Sequence, residues 1–207
     1  MPRETLWKCS KPMKLPISLP NILTSLRILL IPVLVVVFYL PFEWRYLAAA
    51  IVFAVASATD WLDGYLARKL NEMTPFGAFL DPVADKLLVA TALVLLVEVQ
   101  ASAILAVPAI VIVGREIVVS ALREWMAQYS EKRSVAVSLI GKIKTGFQMV
   151  SIIILLANGA EKDNNFVLIG YVSLYVAAAL TLWSMFLYLK LAWPDLSSGM
   201  VTGDGKK

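Results

Sequence analysis

The chemistry in this chain concentrates between Ala58 and Lys86. The stretch reads ATDWLDGYLARKLNEMTPFGAFLDPVADK and holds four aspartates: Asp60, Asp63, Asp81 and Asp85. Asp60 and Asp63 are spaced i, i+3, and Asp81 and Asp85 are spaced i, i+4. On helices, each pair therefore shares a face. The break at Asn71 to Pro75 is short enough to leave the two helices antiparallel and adjacent, so the carboxylates can converge. Bare, they would repel and at least one would keep its proton. A hard divalent cation with oxygen ligands, Mg²⁺ or Mn²⁺, removes that conflict, and four carboxylates suffice to bridge two ions. Small residues are interleaved with the acids. Gly64 and Ala67 lie on or beside the Asp60/Asp63 face, and Gly77, Asp81 and Asp85 form an i, i+4, i+8 stripe. A helical glycine costs about 1 kcal/mol relative to alanine. Beside an acid cluster it makes room for a ligand, or for close helix packing. Arg68 follows Gly64 by one turn, placed for an anionic group. A lone acid in an apolar helix is satisfied by a basic partner. Pairing alone does not call for four acids on two faces with small residues between them.

The rest of the inventory narrows the chemistry. The chain has no His and a single cysteine, Cys9. A Ser-His-Asp triad, a His-ligated metal, an internal disulfide and a CxxC pair are all excluded. Acid–base or metal chemistry must use carboxylates, Lys, Tyr, hydroxyls or backbone.

The elements that position these residues are membrane helices. Of 207 residues, 59% are hydrophobic and only 16% charged, with a mean hydropathy of +0.76. Soluble proteins carry about 25% charged residues, so a polar shell around a soluble core is not available here. Six apolar segments run approximately over 22–40, 46–68, 77–97, 103–123, 136–157 and 166–190. Each is near the roughly 20 residues that span a bilayer as a helix. The sequence thus predicts an all-α integral membrane protein of six transmembrane helices. With the N-terminus inside, the outer connections carry only Arg45 and Lys162, and the other seventeen of nineteen basic residues fall on the cytoplasmic side. Both termini are then cytoplasmic by the positive-inside rule. Trp44, Tyr46, Trp125, Tyr129, Trp183, Tyr188 and Trp193 suit interfacial belts. Residues 1–20 form a cytoplasmic or interfacial lead-in, in which Leu15 to Ile22 could lie flat on the membrane. Residues 21–192 form one catalytic domain, and 193–207 a flexible Gly/Ser-rich tail. The net charge of +4 fits loops facing anionic lipid and gives no reason to expect nucleic acid.

The pattern Asp60-x2-Asp63-Gly64-x2-Ala67-Arg68-x8-Gly77-x3-Asp81-x3-Asp85 resembles, without departure, the signature of the CDP-alcohol phosphatidyltransferase family. The likeness extends over about residues 18–190. The segments NILTSLRILLIP, GAFLDPVADKLLVA, REIVVSALREWMA and SVAVSLIGKIKTGFQM are similar to a Gram-negative bacterial branch of it. The resemblance implies a six-helix fold in the bacterial inner membrane, a site open to the cytoplasmic leaflet, and a homodimer. It implies transfer of a phosphatidyl group from CDP-diacylglycerol to an alcohol, with release of CMP. By the same resemblance Asp60, Asp63 and Asp81 would be metal ligands, and Asp85 the general base, also touching the metal. Gly64, Ala67, Arg68 and Gly77, with Asp60 and Asp63, would line the CDP site.

The branch resemblance points to sn-glycerol 3-phosphate as acceptor, and a dianion needs cations. Candidates are Arg27 in the first helix, Arg115 and Arg123 in the fourth, and Lys142 and Lys144 in the fifth, with Thr24 and Thr145 as hydroxyl donors. Each has an alternative. Arg115 and Arg123 lie beside Glu116 and Glu124 and could form ion pairs within the membrane. Arg27 could snorkel to headgroups. Thr24 could merely cap its helix. Lys69 and Lys86 read as solvated or headgroup-facing charges. The signature reads the CDP-lipid, so inositol phosphate, serine or phosphatidylglycerol remain open as acceptors. A divalent-cation transporter remains the alternative of a different class.

Overall fold

The computed structural model describes residues 19–70, 75–129, 139–161 and 164–201. They form six α-helices: α1 (Leu19–Tyr39), α2 (Arg45–Leu70), α3 (Pro75–Gln100), α4 (Ala103–Tyr129), α5 (Leu139–Asn158) and α6 (Asn165–Val201). There is no strand among the described residues. Each helix occupies one of the six expected apolar segments, with shifted ends. α1 begins at Leu19, so Leu19–Ile22 is its first turn and not a separate interfacial piece; Leu15 to Ser18 lie outside the described residues.

The last helix runs past its apolar segment. α6 continues eleven residues beyond the expected end at 190, to Val201, through the start of the region expected to be flexible. Extending an existing helix adds one hydrogen bond per residue fixed, without a new nucleus. The span includes Pro194 and the Ser-Ser-Gly of residues 197–199, none of which ends the helix. Pro32, Pro82 and Pro108 are likewise carried inside α1, α3 and α4. In a membrane bundle, neighbouring helices and local adjustments re-satisfy the backbone groups that proline frees.

Packing follows from which faces are apolar and small. α1 lies against α2 and α3, α5 against α6 and α2, and α4 against α6 and α3. The buried core joins large side chains such as Leu34, Phe38, Phe53, Leu96 and Ile112 to Ala49, Ala50, Ala56 and Ala92, which let helices approach closely. α5 and α6 approach closely at Gly170, whose carbonyl accepts a 2.7 Å hydrogen bond from Ser151. α5 ends in a left-handed turn at Gly159 (φ +54°), whose N–H donates to the carbonyls of Leu155 and Leu156. Such a turn satisfies otherwise orphaned helix carbonyls.

That end of the bundle is tied by polar side chains. Gln100 donates to the Gly159 carbonyl at 3.1 Å and accepts from the Tyr171 hydroxyl. Tyr39 donates to Glu98 at 2.6 Å.

α1, α4 and α6 contain apolar spans of 18, 20 and 26 residues, at Ile22–Tyr39, Ala103–Leu122 and Asn165–Lys190. At about 1.5 Å per residue these match a hydrocarbon core of about 30 Å. α2 and α5 carry shorter apolar stretches, Arg45–Thr59 and Ile143–Asn158. Leu29, Ile110, Leu168 and Phe186 point outward and are all more than 60% exposed. Side chains of this kind are at home in lipid. The chain is an integral membrane protein.

Candidate active site

The motif's aspartates lie on two helices, Asp60 and Asp63 on α2 and Asp81 and Asp85 on α3. The side chains of Asp60, Asp63, Gly64, Ala67, Arg68, Lys69 and Gly77 lie outside the described residues. Asp81 and Asp85 are half-buried, one turn apart on α3.

α1 supplies a second layer. Thr24, buried to 1% exposure, donates from Oγ1 to Asp81 Oδ1 at 2.5 Å across the α1–α3 contact. Thr24 is the sixth residue of α1, so the capping alternative does not hold. Its partner is an acid of the motif. Arg27, three residues on, shares the Thr24 face and is fully buried. Snorkelling is therefore not its arrangement. Just outside the motif, Ser57 ties α2 to α5 through a 3.7 Å contact with Met149 Sδ.

A cationic cluster occupies the α4–α5–α6 junction. Arg115 on α4 and Lys144 on α5 both donate to Glu116 Oε1, at 3.1 Å and 2.8 Å. Arg115 also donates to Ser184 Oγ on α6 at 3.0 Å. The ion-pairing alternative for Arg115 thus holds, and it brings Lys144 into the same arrangement. Both cations are buried, while Thr145 next to Lys144 is exposed. The side chains of Arg123 and Lys142 lie outside the described residues. Lys86 departs from expectation: it reaches Ser120 Oγ on α4 at 2.5 Å, instead of facing solvent. Asp85 is its chain neighbour, and Ser120 stands one turn beyond Glu116, so the Lys86 bond ties α3 beside Asp85 to α4 beside Glu116.

Arg115 and Lys144 share Glu116 as their acid, and Lys86 lies near enough to bear on its charge. Sequence reasoning missed the organising position of Glu116, and it missed Ser120 and Ser184 altogether. A serine in an apolar helix carries no signal of its own. The juxtaposition of Arg115-Glu116 inside an apolar run was the only available one.

Residues 17–183 match the family described as CDP-alcohol phosphatidyltransferase. The chain belongs to the CDP-alcohol phosphatidyltransferase family. Among its relatives is a Pseudomonas fluorescens protein, 55% identical over 191 residues, covering 92% of this chain and 95% of that one. A Yersinia pestis (strain Pestoides F) protein is 52% identical over 180 residues, covering 87% and 97%. One from Salmonella choleraesuis (strain SC-B67) is 52% identical over 180 residues, covering 86% and 97%. All three are named CDP-diacylglycerol–glycerol-3-phosphate 3-phosphatidyltransferase. Family membership gives the acid motif its context. Its donor set, carboxylate oxygens with no nitrogen or sulfur, fits a hard divalent cation.

Proposed function

We propose that the protein transfers the phosphatidyl group of CDP-diacylglycerol to sn-glycerol 3-phosphate, giving phosphatidylglycerophosphate and CMP in phospholipid biosynthesis. The carrying observation is the identity of 52–55% across nearly the whole chain to enzymes named for that reaction. The unbroken aspartate signature supports the CDP-lipid half. The buried excess of cations at α4–α5–α6 supports a phosphorylated acceptor over serine.

In this reading Asp60, Asp63, Asp81 and Asp85 hold Mg²⁺ or Mn²⁺, as two ions. The metal, when bound, neutralises the pyrophosphate and the departing CMP. Thr24 fixes the orientation of Asp81 through its hydrogen bond. Gly64, Ala67, Arg68 and Gly77 line the CDP site. Arg115 and Lys144, with Arg123, Lys142 and Arg27, hold the acceptor phosphate. Asp85 takes the proton of the acceptor hydroxyl as its oxygen forms the new bond to phosphorus and the bond to CMP breaks. A carboxylate suits this role in a chain without His. All six helices span the bacterial inner membrane, both termini and the site face the cytoplasm, and two copies associate. The seventeen-to-two division of basic residues supports that orientation.

The test is product identification by mass spectrometry, with purified protein, CDP-diacylglycerol, glycerol 3-phosphate and Mg²⁺. Phosphatidylglycerophosphate is expected. Asp85→Asn is expected to cut turnover by about 10²–10⁴-fold while CDP-lipid binding persists. No product from folded wild-type protein would overturn the function, and unchanged turnover in the variant would remove Asp85 from the base role.

A further inference from the structure

We infer that Glu116 is a positioning residue that holds Arg115 and Lys144 as a fixed pair for the phosphate of the acceptor. The inference rests on the acceptor reading above and adds a carboxylate to the machinery that would hold an anion. Its basis is geometric. A single oxygen, Glu116 Oε1, accepts from Arg115 at 3.1 Å and from Lys144 at 2.8 Å. The two cations come from different helices, α4 and α5, and both are nearly inaccessible, with side chains 9% and 3% exposed. Without a shared anion, two buried like charges this close repel strongly, because the surroundings screen them poorly. Their long side chains would then separate. Ser184 restrains the far side of Arg115 from α6, so the guanidinium is held between a carboxylate and a hydroxyl.

Arg115, Glu116 and Lys144 together carry two positive charges and one negative. The carboxylate fixes the spacing of the two cations. Arg115 has further protons to offer, and its buried Nε makes no hydrogen bond. Lys144 Nζ has three donors, one of which goes to Glu116. An oxyanion can engage both cations while Glu116 keeps them in place.

The test is steady-state kinetics of the full chain, varying glycerol 3-phosphate and CDP-diacylglycerol separately. Glu116→Gln keeps the shape and removes the charge. Losing a charge-assisted restraint of this kind is expected to raise KM for glycerol 3-phosphate about 10-fold or more, with kcat and the CDP-diacylglycerol KM within about 3-fold. Glu116→Asp is expected to restore most of that loss. Ser184→Ala loosens Arg115 without changing charge, and should raise the same KM by about 3-fold. An unchanged acceptor KM in Glu116→Gln would overturn the inference, as would a fall in kcat with both KM values unmoved. If Glu116→Gln does not fold, an unchanged acceptor KM in Ser184→Ala overturns it. Wild-type protein inactive with glycerol 3-phosphate would instead refute the acceptor reading, which separates the two failures.

Discussion

Single contacts decide most of the chemistry here, and several run opposite to what residue type alone suggests. Thr24 looks like a helix cap by composition, yet it stands inside α1 with its hydroxyl on Asp81. Partners that orient a metal ligand are worth about 10–100-fold in metal affinity. Thr24→Val should therefore raise the Mg²⁺ concentration for half-maximal activity by about that factor, with activity recovering at high Mg²⁺. A Mg²⁺ titration checks this, and an unshifted curve would separate Thr24 from the metal site. Chelation by EDTA should abolish turnover and added Mg²⁺ should restore it. Persistent activity in EDTA would contradict a carboxylate-held cation. The aspartate signature was readable because its spacing is helical and its residue types are costly in a membrane. The burial of Arg27 and the Lys86–Ser120 link were not readable, because snorkelling and burial look identical in a sequence.

Helices were legible where hydropathy changes sharply and less so where it does not. The turns near Pro41, Ala101 and Gly159 fell where polar or turn-forming residues interrupt apolar runs. The end of α6 did not, since Ser and Gly in sequence signal only weakened propensity while an established helix propagates cheaply. Two glycines carry element-level constraints that the sequence could not assign. A Cβ at Gly170 would fall 2.9 Å from Leu155 and push α5 from α6. Gly170→Ala should lower stability by about 1–3 kcal/mol, the range for overpacking. Gly159 combines φ +54° with Tyr46 ring atoms as near as 2.3 Å to the site of a Cβ. Gly159→Ala should cost at least as much, about 1–3 kcal/mol from the ring contact alone. Thermal unfolding in detergent measures both. A shift below about 2 °C in either, in a protein of this size, would contradict the packing described.

Among the described residues, Thr24 bonds Asp81 between α1 and α3, Arg115 and Lys144 share Glu116 between α4 and α5, and the Lys86–Ser120 contact joins α3 to α4. The proposed orientation sets both clusters toward the cytoplasm. With Cys9 replaced by Ser, single cysteines at Glu43 and Glu161 should react with a membrane-impermeant thiol reagent on intact spheroplasts, and one at Glu72 only after lysis. The reverse pattern would invert the topology.

The most direct measurement is CMP release from CDP-diacylglycerol and Mg²⁺ by the purified protein, with glycerol 3-phosphate, inositol phosphate and serine each offered alone. Release with glycerol 3-phosphate only is the predicted result. Release with serine or inositol phosphate in its place, or none at all from folded protein, would contradict the assignment.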